Sequence, residues 1–213
     1  MKLLGILLAI VGKVCVPQSV GHLEAAMNST CKLRLRQRPR QKLVAALIAG
    51  EDHRFYEHRG VDPIAIAGAV YRFTIRRKMS GASTIEQQLV RVLTGRRERN
   101  LRRKLKEIVL ASYLSNAYLK LDIAETYLSV AYFGWRMNGL QEACVRLSID
   151  PLGVTFHQAA SLVARLKYPQ PCELTPERNA LIARRTEYIL RRMSDARLCS
   201  SSEVPSDAAI LDI

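Results

Sequence analysis

The sequence predicts an all-α fold. Three observations carry that prediction: long apolar segments recur at helical spacing, alternating runs of β-branched residues are almost missing, and Ser, Thr or Asp-Pro signals open one segment after another. The chain has 213 residues, 48% hydrophobic with few aromatics, enough for one domain with a real core and tails. A net charge of +14, from 33 Lys and Arg against 19 Asp and Glu, calls for an anionic partner. Nucleic acid, a membrane surface and a phosphorylated substrate all meet that requirement. Cys15, Cys31, Cys144, Cys172 and Cys199 lack metal-ligand spacing, and their odd number defines no disulfide framework.

Residues 1–21 read as an apolar signal or membrane-anchor segment. The run from Leu3 to Gly12 is shorter than the ~20 residues of a spanning helix, and a buried helix would look the same. Residues 22–41 read as a basic linker, because Lys32, Arg34, Arg36, Arg38, Arg40 and Lys42 put a cation at every second position around Pro39. Such a segment is extended, and is either a juxtamembrane lipid contact or a solvated linker.

Gln41 to Gly50 is a helix with Gly50 as its expected stop, which leaves Glu51 at the exit. The next stretch, Glu51 to Asp62, packs four carboxylates and two histidines into twelve residues between two apolar segments. A polar connection of this kind is where chemistry tends to sit. Glu51 and Asp52 are either functional acids or solvated loop charges. Asp62-Pro63 restarts the chain as N-cap and first helical residue, with Ile64, Ala67, Val70 and Tyr71 on one face.

Ser83, with Glu86 three residues on, predicts a capping box opening a helix that runs to Thr94 and stops at Gly95. That helix start is either a plain cap or an anion site, with Arg91 on the same side as Ser83 and Thr84 about two turns on. Arg96 to Lys106 carries seven Arg or Lys residues beside an apolar stripe of Leu101, Leu105, Ile108 and Val109. Arg103 and Glu107 share a face at i and i+4, as a surface ion pair or as a glutamate kept ionised in a cationic site. Further helices are expected over Asp122 to Phe133, Asn138 to Leu147, Thr155 to Leu166 and Pro176 to Met193. In the last of these Arg184, Arg185, Arg191 and Arg192 read as a solvated face, and residues 194–213 as a poorly ordered tail.

Together these motifs resemble glycosyltransferase family 51, the peptidoglycan transglycosylases that form the glycan-polymerising module of class A penicillin-binding proteins and also occur as monofunctional enzymes. The likeness covers residues 42–193. Glu51-Asp52 with Phe55, His58, Gly60 and Asp62 is similar to the family's first motif, E-D-x-x-F-x-x-H-x-G. Gly81, Ser83, Thr84, Gln87, Gln88 and Leu89 resemble G-x-S-T-I-x-Q-Q-L, and Arg103, Lys104 and Glu107 resemble R-K-x-x-E. Lys120, Ile123, Glu125, Tyr127, Leu128 and Gly134 look like the fourth motif, and Gln158 to Leu162 with Pro169 like the fifth.

The resemblance implies an all-α, lysozyme-like glycosyltransferase domain on the outer, periplasmic face of a bacterial cytoplasmic membrane. Its substrates would be lipid II and the growing glycan chain, joined through β-1,4 links with inversion at the anomeric carbon and release of undecaprenyl diphosphate. The acceptor-activating base falls on Glu51 and the second carboxylate on Glu107. Diphosphate or sugar contacts fall on Ser83, Thr84, Gln88, Arg91, Arg103 and Lys104. A divalent metal, Mg or Mn, would share the neutralisation of the diphosphate. Other cell-wall synthesis proteins and an anionic membrane surface are the implied partners, and nucleic acid is not among them.

The sequence departs from the family pattern at four positions. Ala82 replaces a glycine, Glu86 a threonine, Arg91 a lysine and Ser129 an asparagine. Glu86 is expected to add an anion to the first turn of the diphosphate-binding helix, either facing the substrate or pointing away from it. Glu86 and Ser129 motivate an alternative, a catalytically weakened scaffold that binds lipid II or cell-wall partners. A basic helical nucleic-acid binder and a lysozyme-like hydrolase are the other rivals; the first leaves the motifs around Glu51 and Ser83 unexplained. No transpeptidase motif follows, so a monofunctional enzyme is expected.

Overall fold

The fold was taken from a computed structural model that describes residues 2–34, 41–76, 83–95 and 100–202. Met1 and residues 35–40, 77–82, 96–99 and 203–213 lie outside the described residues, and with them much of the alternating cation run, Gly81 and Ala82, and the last part of the expected tail.

Two helices open the chain. α1 (Lys2–Cys15) and α2 (Pro17–Arg34) meet at Pro17 with a bend of 106°. No single described helix is long and apolar enough to cross a membrane. Most of the segment expected as a linker is helical, because Val20, Leu23 and Met27 recur at helical spacing and are buried against α5 (Ile85–Thr94) and α7 (Lys120–Val130).

α3 (Gln41–Glu51) runs through Gly50 rather than stopping there. A Cβ at Gly50 would stand 3.0 Å from Val163 and 3.1 Å from Ile189, so the missing side chain lets α9 (Phe156–Lys167) and α10 (Pro176–Ser202) close on α3. α4 (Pro63–Arg76) begins as expected, with Asp62 Oδ1 accepting the Ile64 and Ala65 N–H groups at 3.0 and 3.1 Å. The apolar side of α4 is not core: Ile64, Val70 and Tyr71 are all more than half exposed.

α5 sits at the centre, in contact with α2, α7 and α6 (Leu101–Ala117). Leu43, Leu47, Phe55, Leu89, Leu114, Leu128 and Phe133 are fully buried in the core. α7 ends at Val130, short of the expected Phe133. Beyond it the chain forms a two-stranded antiparallel ribbon, β1 (Tyr132–Gly134) and β2 (Met137–Asn138), followed by α8 (Leu140–Arg146). The ribbon forms because Phe133 and Trp135 trade backbone hydrogen bonds with Gln170 instead of with a helix. α10 continues past Met193 to Ser202.

Gly60 closes the loop after α3. Its φ of +80° is left-handed, and a Cβ there would stand 2.3 Å from the Ala111 carbonyl oxygen of α6. Gly60→Ala should therefore cost about 2 kcal/mol or more, read as a lower urea midpoint at an unchanged slope. A midpoint equal to that of the wild type would show that the loop relaxes away from α6.

Candidate active site

The loop between α3 and α4 is built to hold the start of α5. The Asp52 carboxylate faces His58 Nε2 at 3.0 and 3.1 Å and accepts the Ile85 N–H at 3.2 Å. Thr84 Oγ1 donates to the Gly60 carbonyl at 2.9 Å and accepts the Gln87 N–H at 3.3 Å. The cap of α5 is thus Thr84 and not Ser83, and no Ser83–Glu86 capping box forms. Gln87 Nε2 also donates to the Gly60 carbonyl, and Arg54 Nε donates to Asp62 at 3.0 Å.

On this frame α5 holds both glutamates. Gln88 Nε2 donates to Glu51 Oε2 at 3.1 Å, and the Tyr127 hydroxyl donates to Gln88 Oε1 at 2.6 Å. One turn along the same helix, Arg91 donates to Glu107 at 3.1 Å. Arg103 and Lys104 complete the ring around Glu107 at 2.6 and 2.9 Å. Lys104 also donates to Gln87 Oε1 at 2.7 Å and to Ser83 Oγ at 3.3 Å. Glu107 is buried, while Arg91 and Lys104 keep 44% and 35% of their side chains exposed, so the cations rather than the carboxylate face an incoming anion.

Electrostatics follow this geometry. Burial works to raise the Glu107 carboxyl, but hydrogen bonds and charge from Arg91 and Lys104 outweigh it and hold the group below its ordinary value. Burial, and then the charge of Glu51, push the Tyr127 phenol well up, so it remains a protonated donor to Gln88.

Comparison with known proteins decides what this arrangement belongs to. The family described as Transglycosylase matches residues 19–194. The chain belongs to that family. It is therefore a member of the peptidoglycan glycosyltransferases that its motifs resemble, and the match begins inside α2, ahead of residue 42. It is 36% identical over 159 residues to penicillin-binding protein 1A of Rickettsia felis, covering 71% of this chain and 20% of the relative. It is 38% identical over 159 residues to penicillin-binding protein 1A of Escherichia coli, covering 72% and 18%. Against penicillin-binding protein 1F of Bacillus subtilis the identity is 35% over 162 residues, covering 74% and 22%. The chain thus spans about a fifth of the length of these relatives.

Of the residues that the transglycosylase motifs single out, Glu51 and Gln88 form one hydrogen-bonded pair and Ser83, Arg91, Arg103, Lys104 and Glu107 a second group, the two joined through α5. Thr84 stands apart. It is 2% exposed, and its hydroxyl is taken up by Gly60 and by the helix cap, which gives it a framing place rather than one in the cleft.

Glu86 lies in the first turn of α5, as expected, but it points away from Gln88. It is fully buried and pairs with Lys120 at the start of α7, and Lys120 in turn lies over the Phe55 ring at 4.3 Å. Helix phase explains this: Glu86 lies two residues before Gln88 and so points to the opposite side of α5.

Arg185 is the site residue that the sequence reading missed. It was grouped with a solvated face, yet it donates to Glu51 Oε1 at 3.2 Å and to the Gly50 carbonyl. A signal was present. Ile182, Thr186, Ile189 and Met193 form the buried stripe of α10, and Arg185 lies i+3 and i−4 from two of them, whereas the exposed Arg184 does not.

Asp52, His58 and Asp62 bring one ligand atom each within 4.8 Å of one another, a buried grouping able to hold a metal ion. Its donors are already engaged, however. Asp52 is held by His58 and the Ile85 N–H, Asp62 by two helix N–H groups and Arg54, and a guanidinium beside the site opposes a cation. The residues as they stand do not fit a divalent ion.

Two outcomes are expected. The Glu107 carboxyl lies below its ordinary 4.5, so its contribution to stability is complete above that value and is lost as pH falls through the lower folded one. The stability gap between wild type and Glu107→Gln should then close as urea titrations move from neutral pH to below 4.5, and a gap independent of pH would deny Glu107 its ionic role. Glu86→Thr leaves Lys120 without its buried partner and should cost about 3 kcal/mol without raising activity. A gain in activity would place Glu86 in the cleft after all.

Proposed function

We propose that this domain polymerises lipid II into β-1,4-linked glycan with inversion at the anomeric carbon and release of undecaprenyl diphosphate. The observation that carries the reading is that Glu51 and Glu107 are both bonded to α5, through Gln88 and Arg91, two helix positions about 4.5 Å apart along its axis.

Glu51 takes the proton of the acceptor's sugar 4-hydroxyl as that oxygen bonds to the donor's anomeric carbon. The bond from that carbon to the diphosphate oxygen breaks in the same step, and the electron pair leaves with the diphosphate. Base and leaving group must then lie on opposite sides of the reacting carbon, the facial logic of inverting glycosidases. Gln88 and Arg185 hold the Glu51 carboxylate in place, and the Tyr127 hydroxyl fixes the Gln88 amide so that its NH2 faces Glu51.

Arg91, Arg103 and Lys104, with the Ser83 hydroxyl beside them, receive the charge that grows on the leaving diphosphate. Glu107 keeps the three cations converged, so little reorganisation is needed as the bond breaks. A divalent metal, Mg or Mn, would arrive on the diphosphate's own oxygens and share that charge.

The reading carries with it the outer face of a bacterial cytoplasmic membrane as the place of action, with the growing glycan and other cell-wall synthesis proteins as partners. The scaffold alternative rested on Glu86 and Ser129. The Glu86 carboxylate is buried on Lys120, away from Gln88, so Ser129 is the departure that still supports it.

The test is incubation of the purified protein with labelled lipid II and a divalent metal in detergent, with products separated by size. Wild type should yield polymer, and Glu51→Gln should be slower by about 10²–10⁴-fold with an unchanged circular dichroism spectrum. Polymer at the wild-type rate from Glu51→Gln would remove Glu51 from the base role, and lipid II binding without polymer from wild type would revive the scaffold.

A further inference from the structure

We propose that a cationic groove on α10, beside Glu51, is a subsite for a peptide carrying carboxylates, and that the peptide it takes is the one attached to the acceptor sugar. The groove has a volume of about 500 Å³. Tyr168, just after α9, and Leu181, Arg184, Arg185, Tyr188 and Arg191 of α10 line it.

Helix phase makes the row. Residues 181, 184, 188 and 191 recur at spacings of three and four and so share one side of α10. The neighbouring side carries Ile182, Thr186 and Ile189, all buried, and packs on α3 and α9. That packing fixes the roll of the helix, and the guanidinium groups are presented in a fixed order.

Charge selects the ligand. Three guanidinium groups line the groove with a single carboxylate, Glu187. Arg184, Glu187 and Arg191 enter no ion pair among the described residues. Arg185 is engaged: it donates to Glu51 and lies over the Tyr188 ring at 4.8 Å, while its Nε is buried without a partner. The Tyr168 and Tyr188 phenols are further donors for an anionic oxygen.

Spacing favours a peptide over a phosphate. Arg184 and Arg191 are seven positions apart, about 10.5 Å along the axis. Carboxylates three residues apart on an extended peptide span about 10 Å. A diphosphate gathers its charge at one place, which suits the convergent Arg91, Arg103 and Lys104 and leaves part of a spread row unused.

The assignment to the acceptor rests on the transglycosylase reading. The two oxygens of Glu51 are held from different elements, Oε2 by Gln88 of α5 and Oε1 by Arg185 of α10. α5 leads on to the cations for the leaving diphosphate, and α10 leads to the groove. An acceptor whose hydroxyl meets Glu51 places its peptide along α10, clear of that diphosphate. The groove then selects acceptors by their peptide.

The experiment measures binding of a fluorescent disaccharide pentapeptide, with neither lipid nor diphosphate, to the full chain by anisotropy in detergent. Saturable binding is expected, weaker by about tenfold when the peptide carboxylates are amidated and by about threefold for each of Arg184→Gln and Arg191→Gln, at an unchanged circular dichroism spectrum. Arg72→Gln with Arg102→Gln removes the same charge elsewhere and should leave binding as it is. An equal loss from that pair would mean general attraction to a chain of +14 and overturn the proposal. Undiminished binding of the amidated peptide would overturn it, as would equal binding of the disaccharide without peptide. Displacement of the probe by inorganic diphosphate at lower concentration than by unlabelled peptide would assign the groove to phosphate and overturn it as well. No turnover enters the measurement, so its failure leaves the Glu51 assignment standing, and peptide binding without polymer from lipid II would fail the reaction while upholding the groove.

Discussion

The structure turns on one buried carboxylate. Glu107 gathers Arg91, Arg103 and Lys104, and so ties α5 to α6 at the point where both must present cations to the same place. Buried ion pairs are poor sources of stability, because desolvation offsets most of the attraction. The value of this cluster lies in what it leaves over. Three cations around one carboxylate keep a surplus of positive charge, and two of the three remain well exposed. A doubly charged diphosphate is the natural complement to such a surplus.

A second layer of interactions serves the first. Asp52, His58, Gly60 and Thr84 hold the loop after α3 against the start of α5, so Glu51 and Gln88 meet at a defined height. Of the residues in the first motif, Glu51 is partly exposed and is held by Gln88 and Arg185, whereas Asp52, Phe55 and His58 are buried in the frame. Motif residues thus divide into those that stay partly exposed beside α5 and those that are buried and position them. Glu86 belongs with the second kind: with Lys120 and Phe55 it joins α5, α7 and the loop from the side away from Gln88.

The division of labour on α6 follows from helical phase alone. Arg103, Lys104 and Glu107 turn to the site, while Leu101 and Leu105 turn to the side where α1 is docked. One helix therefore serves both a charged cleft and the contact with α1. A rigid element holds the cations in place in a way that a loop would not.

Local chemistry made much of this legible in the residues themselves. The Asp62-Pro63 and Thr155 helix starts, the Arg103–Glu107 pair and the polar stretch after α3 all depend on neighbours within a few positions, which is the range over which a sequence can be read. Tertiary packing decided the rest. Gly50 reads as a helix stop, but it serves the close approach of α9 and α10; Ser83 reads as the cap, but the Gly60 carbonyl draws Thr84 into that place. Arg185 reached Glu51 from 134 positions away, and Glu107 and Glu51 were brought to one helix across 56 positions of chain. Spacing along the chain carries no distance through space at that range, because only the burial of a shared core, here around α5, determines which distant faces come together.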